Sequence, residues 1–157
     1  LMGVATCYVA YRIARRLYDE RTALIAALIG ALAYFHAVFS GVINVDIGAT
    51  LMLWLSVLVY LRYEETGKTK YLAGAGAVAA VAIAFKFPGA VAIPLIGVAL
   101  LTAPLGSPAA GRWIRKCAIF GGSLLLALTV IAPEWMTSIG YLIRYNFLAG
   151  VQAAHAA

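Results

Sequence analysis

The sequence predicts an all-α protein, a polytopic bundle of transmembrane helices. Hydrophobic residues make up 64% of the 157 residues and charged residues only 11%, a balance far from that of soluble globular domains. Clusters of charge interrupt the apolar runs at intervals near the roughly 20 residues that a helix needs to cross a bilayer. Residues 93–101 lack the apolar–polar alternation of a membrane β-strand, which excludes a β-barrel. We therefore expect several helical spans.

The apolar runs define about six partial or complete spans. We assign them to residues 2–14, 22–43, 47–63, 71–85, 89–103 and 117–131. The second and third form a hairpin with its tip at residues 44–46, and a loop rich in Pro, Gly and Ser separates the last two. The chain starts at Leu1 with no basic stretch before its first apolar run. We therefore expect a fragment that lacks at least one upstream span, and no signal peptide.

Positive charge predicts the orientation of these spans. When the spans alternate across the membrane, every one of the 12 Lys and Arg residues except Lys86 and Arg144 falls in three loops on one side or at the span ends that adjoin those loops. Cytoplasmic loops carry such an excess of positive charge, so these loops are predicted to be cytoplasmic and both chain ends to lie outside. The formal charge of +6 is thus a topology signal, and we expect no nucleic-acid partner.

The fourth span is short and rich in small residues. Ala73, Ala77, Ala80 and Ala84 recur at helical spacing, which allows a neighbouring helix to approach closely. We expect this span to pack centrally, away from lipid.

The sequence also predicts two regions: a transmembrane helical region over residues 1–133 and an external interfacial segment over residues 134–157. The second region mixes aromatic residues such as Trp135 and Tyr141 with polar ones, so it is too polar to span a membrane. Its apolar side chains recur at helical spacing, as in a helix that lies in the membrane interface.

Neither the cysteines nor the histidines suggest a metal site. Cys7 and Cys117 lie in or beside apolar runs with no ligand spacing, so we interpret both as packing residues. His36 and His155 are far apart in sequence and have no neighbouring Cys or carboxylate at ligand spacing. We interpret His36 as a packed or interfacial residue. No metal ligand is assigned.

Asp46 is the first candidate for chemistry, because it is a carboxylate at the predicted external hairpin tip. It could orient an acceptor hydroxyl, serve as a base or hold a cation. The alternative is structural: an aspartate followed by Ile47 and Gly48 is also a good N-cap for the third span.

Lys86 is the second candidate, since it departs from the positive-inside pattern and ends the small-residue span just before Phe87 and Pro88. A lysine ammonium with three donors suits a lipid phosphate that approaches from the membrane. The alternative is an interfacial lysine that favours the helix dipole. Arg144 would bind a phosphate or an anionic head group, and His155 would contact sugar or phosphate or lie in a solvated tail.

The order of these features resembles a known family. Residues 11–18 (YRIARRLY), the next apolar span and residues 36–40 (HAVFS) before Asp46 resemble membrane glycosyltransferases of the dolichyl-phosphate-mannose protein mannosyltransferase and aminoarabinose transferase group. The small-residue span that ends in residues 84–88 (AFKFP) is similar to that group's Lys-aromatic-Pro sequence. Residues 133–155 resemble its external interface segment.

The resemblance implies a GT-C fold and transfer of a sugar from a polyprenyl- or dolichyl-phosphate donor to a protein, lipid or glycan acceptor. The reaction would occur at the extracytoplasmic face of a multi-pass protein, which we expect in a prokaryotic plasma membrane. Lys86 would match the family's lysine for lipid phosphate, with Arg144 and His155 as further donor contacts. Asp46 would match the second acidic position of the active-site cavity.

The resemblance also limits what this chain is expected to do alone. The family's principal catalytic aspartate lies in the first external loop, which would precede Leu1, so we expect the fragment itself to be inactive. No cofactor is implied with certainty, and dependence on a divalent metal is left open.

Two other functions compete with this one. A transporter or permease would also have packed Gly- and Ala-rich helices, but its functional charges should lie near the bilayer midplane on broken helices. In a non-catalytic assembly subunit, Asp46 and Lys86 would be only a cap and an anchor.

Overall fold

The computed structural model describes residues 1–33, 37–38, 41, 45–102 and 110–133, and these residues form helices and no strand. In chain order the helices are α1 (Met2–Leu17), α2 (Glu20–Leu32), α3 (Val45–Thr66), α4 (Thr69–Phe85), α5 (Ala92–Thr102) and α6 (Ala110–Ile131), with a 3₁₀ turn, Phe87–Val91, between α4 and α5. The predicted all-α fold is confirmed, and a helix overlaps each predicted span. The predicted segment 134–157 lies outside the described residues.

Two of the described helices are long and apolar enough to cross a membrane. These are α3, Val45–Thr66, and the part of α6 at Trp113–Ile131. At about 1.5 Å per residue, the 22 residues of α3 cover about 33 Å, close to the thickness of the hydrocarbon core. Helix α4 has only 17 residues, in agreement with the short fourth span. Helix α2 covers Glu20–Leu32, and most of the predicted second span beyond it lies outside the described residues.

Helix α4 packs between α3 and α6, which confirms its predicted central position. Its buried residues include Leu72, Ala75, Ala79 and Ala80. The buried Ser56 hydroxyl of α3 donates a hydrogen bond to the Ala75 carbonyl oxygen over 2.8 Å. The buried face of α4 is rotated relative to the alanine stripe that the sequence predicted. Of the four predicted alanines only Ala80 is fully buried, and Ala73, Ala77 and Ala84 are half-buried.

On the α6 side, Gly76 lies at a close approach of the two helices. A methyl group there would overlap the Phe120 carbonyl oxygen and the Ser123 hydroxyl and lie 3.2 Å from the Leu124 nitrogen. The two helix backbones are therefore nearly in contact, as small residues permit in membrane helix packing.

The predicted cytoplasmic charge clusters meet at one end of the bundle. Arg16 at the end of α1 pairs with Glu65 of α3 over 3.3 Å and donates to the Leu58 carbonyl oxygen over 3.1 Å. The Lys116 ammonium of α6 lies 5.5 Å from the centre of the Tyr63 ring. We call this the basic end, and its shared location agrees with the predicted alternation of spans.

Asp19 begins α2 at the same end. Its carboxylate accepts a 2.8 Å hydrogen bond from the Thr22 backbone N–H, an N-cap contact that satisfies one of the unpaired donors of the helix start. This hydrogen bond from the Thr22 backbone lowers the pKa of Asp19, since it favours the ionised carboxylate.

The two cysteines pack between helices, in agreement with their interpretation as packing residues. Cys7 of α1 lies against Gly30 of α2, where an added methyl group would be 3.8 Å from its Sγ atom. Cys117 of α6 packs against the buried core of α3, α4 and α6.

We expect Gly76→Ala to lower the thermal unfolding midpoint in detergent, measured by circular dichroism. Overpacking costs about 1–3 kcal/mol, which exceeds the gain of up to about 1 kcal/mol in helix propensity on replacing Gly by Ala. Gly121→Ala on α6 is the control, because outside the backbone of its own helix no heavy atom lies within 4 Å of the added methyl group. The close approach of α4 and α6 is contradicted if both variants unfold at the wild-type temperature.

Candidate functional site

The end of the bundle opposite the basic end carries Asp46, at the start of α3. The helix begins at Val45, so Asp46 lies within its first turn rather than at the N-cap position that the structural alternative gave it. The Thr50 hydroxyl donates to the Asp46 carbonyl oxygen over 2.7 Å, which ties the residue into the helix. A carboxylate in this turn is favoured by the positive end of the helix dipole.

Lys86 lies where α4 ends. Pro88 has no N–H to donate to the preceding turn. The helix stops at Phe85, and Lys86 takes extended backbone angles, φ −163° and ψ 138°. Its N–H still donates to the Ala82 carbonyl oxygen over 3.2 Å. The side chain therefore leaves the helix at a fixed position.

The 3₁₀ turn after Lys86 folds back onto α4 and holds that position. The Gly89 N–H donates to the Lys86 carbonyl oxygen over 2.8 Å. A methyl group on Gly89 would overlap the Ala82 carbonyl oxygen, so only glycine fits this close return of the chain.

A second glycine brings the two helix ends together. A methyl group on Gly48 of α3 would lie 2.7 Å from the Phe85 ring of α4. Phe85 precedes Lys86 and Gly48 follows Asp46 by two residues, so the contact between ring and backbone sets the two charged side chains side by side.

The result is an ion pair: the Lys86 ammonium lies 2.5 Å from the Asp46 Oδ1 atom. The Lys86 side chain is 47% exposed and the Asp46 side chain is 41% exposed, so both are open to a ligand. A lysine ammonium has three donors, and one bond to Asp46 leaves it able to donate to an anion at the same time. The pair thus offers a cation and a carboxylate at one point.

The structure brings together Asp46 and Lys86, which the sequence analysis treated separately. A signal for the pairing was present: Gly67, with φ +65°, lies in the turn between α3 and α4, nearly equidistant along the chain from both residues. In an antiparallel pair of helices, positions at similar distances along the chain from the connecting turn lie at the same end. Arg144, His155 and His36 lie outside the described residues, and their roles stay predictions.

Metal ligands do not group together in the described part of the chain. No three His, Cys, Asp or Glu side chains there are close enough to hold an ion. The assignment of no metal site stays a prediction.

Comparison with known proteins gives one family. The family model described as dolichyl-phosphate-mannose-protein mannosyltransferase matches residues 1–136, a range that contains both Asp46 and Lys86. No curated protein and no solved structure matches the chain.

We expect a double-mutant cycle with Asp46→Asn and Lys86→Gln to give a coupling free energy of about 0.2–1 kcal/mol, the range of exposed ion pairs. The measured quantity is the free energy of unfolding of each variant. The Arg62–Glu65 pair, with side chains 49% and 42% exposed, is the matched control and should give a similar value. A coupling above about 3 kcal/mol, as for a buried pair, would contradict the exposure of the site.

Proposed function

The chain belongs to the dolichyl-phosphate-mannose-protein mannosyltransferase family of membrane glycosyltransferases, and on this basis we propose that Asp46 and Lys86 serve sugar transfer from a polyprenyl-phosphate donor. The acceptor is a hydroxyl group of a protein, lipid or glycan, and the reaction takes place at the extracytoplasmic face of a prokaryotic plasma membrane. The observation that carries the proposal is the half-exposed Asp46–Lys86 pair at the end of the bundle opposite the basic end.

The location of Lys86 supports its role as the phosphate-binding residue. It follows the last turn of α4, while the start of that helix lies at the basic end. The phosphate of a lipid-linked sugar lies at the edge of the hydrocarbon core, at the depth of the helix ends. A half-exposed ammonium there meets the phosphate without leaving the interface, and it stabilises the charge that develops on the leaving group.

The carboxylate of Asp46 is proposed to orient the acceptor. It accepts a hydrogen bond from the acceptor hydroxyl and so directs the oxygen toward the anomeric carbon. The new C–O bond forms as the bond between the anomeric carbon and the phosphate oxygen breaks, and the proton of the acceptor hydroxyl passes to the Asp46 carboxylate. The electron pair of that bond leaves with the polyprenyl phosphate, and the configuration at the anomeric carbon is inverted.

The ion pair supports these separate roles of Lys86 and Asp46. Since Lys86 lies 2.5 Å from Asp46, a phosphate on the ammonium and a hydroxyl on the carboxylate would be neighbours, as group transfer requires. Arg144 and His155 are proposed as further contacts to the donor.

The location of the pair also favours transfer over transport. A transporter would be expected to bind its substrate near the bilayer midplane, on broken helices. Asp46 lies instead in the first turn of α3, and Lys86 directly follows the last turn of α4. Charges at helix ends suit chemistry on a lipid head group.

In turnover of a polyprenyl-phosphate sugar by the full-length protein, we expect Lys86→Gln to lower kcat/KM for the donor about 10- to 100-fold, because a hydrogen bond to a charged group is lost. Lys86→Arg should retain more activity because it keeps the cation. Lys70→Gln, the same charge change at the basic end of α4, should turn over like the wild type. A Lys86→Gln variant that is folded and fully active would refute the role of Lys86.

For Asp46→Asn we expect a fall in kcat of about 10²–10⁴-fold, the usual contribution of a positioned acid or base. The KM for the donor should change little, since the phosphate binds Lys86. Asp19→Asn, at the other end of the bundle, controls for loss of a carboxylate. An unchanged kcat in folded Asp46→Asn protein would remove Asp46 from the mechanism.

A further inference from the structure

A second charged site lies on α1 at the basic end. Its lining consists of two tyrosines and three arginines, Tyr8, Tyr11, Arg12, Arg15 and Arg16, around an open cavity of about 360 Å³. We call it the arginine pocket. The length of α3 separates this end from the Asp46–Lys86 pair, so the pocket is not part of the proposed transfer site.

Two repeated contacts build the pocket. The Arg12 guanidinium donates to the Tyr8 hydroxyl over 2.8 Å, and that of Arg15 donates to the Tyr11 hydroxyl over 3.0 Å. Each pair is four residues apart and therefore shares one helix face. The Tyr8 and Tyr11 rings stack with centroids 6.4 Å apart. The guanidinium groups are thus held in place rather than spread in solvent.

The charges in the pocket do not cancel. Glu20 of α2 pairs with Arg15 over 2.8 Å, and Glu65 of α3 pairs with Arg16 over 3.3 Å. Among the described residues, Arg12 has no carboxylate partner. A guanidinium has five N–H donors, and one bond to Tyr8 leaves Arg12 able to bind an oxyanion with several others. The pocket is therefore built for an anion.

The surface beside the pocket indicates what carries that anion. Val4, Tyr8 and Arg12 follow at intervals of four residues along α1, and the first two are 75% and 56% exposed. One helix face thus runs from an aliphatic residue through an amphipathic ring to a cation. This order matches a phospholipid, from acyl chain through the interface to phosphate.

We propose that the arginine pocket binds the phosphate of an anionic phospholipid in the leaflet at the basic end of the bundle. The phosphate oxygens accept hydrogen bonds from Arg12 and Arg15, and an acyl chain lies along Tyr8 and Val4. A free phosphate would satisfy the guanidinium groups but would gain nothing from the exposed apolar residues.

The test measures retention of phosphatidylglycerol against phosphatidylcholine by the full-length protein, purified from mixed vesicles and examined by native mass spectrometry in 150 mM salt. Arg12→Gln is expected to lower the preference for phosphatidylglycerol about tenfold or more, as a direct bond to a charged group is lost. Arg21→Gln is the matched control, because Arg21 is an exposed residue at the same end but does not line the pocket. The Arg21→Gln variant should lose no more than about fivefold of the preference for phosphatidylglycerol, which is the effect of one surface charge near the membrane.

A second variant tests the proposal independently in case Arg12→Gln does not fold. Tyr8→Phe keeps the ring and removes the hydroxyl that holds Arg12, so we expect a smaller loss of preference, about two- to threefold, with unchanged unfolding temperature. Equal losses in Arg12→Gln and Arg21→Gln would overturn the proposal in favour of unspecific attraction. Wild-type retention in both Arg12→Gln and Tyr8→Phe would also overturn it, as would complete displacement of the lipid by millimolar inorganic phosphate.

Discussion

The close approach of α4 to both of its neighbours is the constraint on which the rest of the structure depends. Alanine and glycine on its buried faces let the Ser56 hydroxyl of α3 reach a backbone carbonyl of α4, and let the α6 backbone touch Gly76. In a bilayer, lipid tails are as apolar as leucine, so close packing and hydrogen bonds between helices must supply the association energy. Small residues make both possible. Because α3 and α4 are thereby held in register, the positions of their ends are fixed as well.

That register produces two chemically different ends. At the basic end, arginines of α1 form a network with Glu20 and Glu65 that links α1, α2 and α3. At the other end, α3 and α4 present the Asp46–Lys86 ion pair, which is supported by the contact of Gly48 with the Phe85 ring. At the basic end, Arg15 and Arg16 thus join helices while Arg12 stays accessible in the arginine pocket, and at the other end both charges of the ion pair stay accessible to a ligand.

The sequence predicted the helices well and their contacts less well. Apolar runs and charge clusters are local signals, so the six helices and the shared basic end followed from them directly. The alanine spacing on α4 predicted a packed helix but not its rotation, because residues such as Leu72 and Ala75 are buried by partners on two sides. The pairing of Asp46 with Lys86 depends on the register of α3 against α4, which Gly48 and Phe85 determine through space. The position of Gly67 midway between the two residues indicates which helix ends meet, but no short motif contains the register itself.

The exposure of the pair explains how it can be both stable and usable. A single charge at the edge of hydrocarbon is costly, and each partner lowers that cost for the other. If the pair were buried, a phosphate could bind Lys86 only by breaking a strong interaction and leaving Asp46 uncompensated. Both side chains are close to half exposed, so water already hydrates both charges. The pair therefore contributes little to the free energy of unfolding. An anion can therefore join Lys86 while Asp46 stays in place, and the carboxylate remains beside it to receive a hydroxyl.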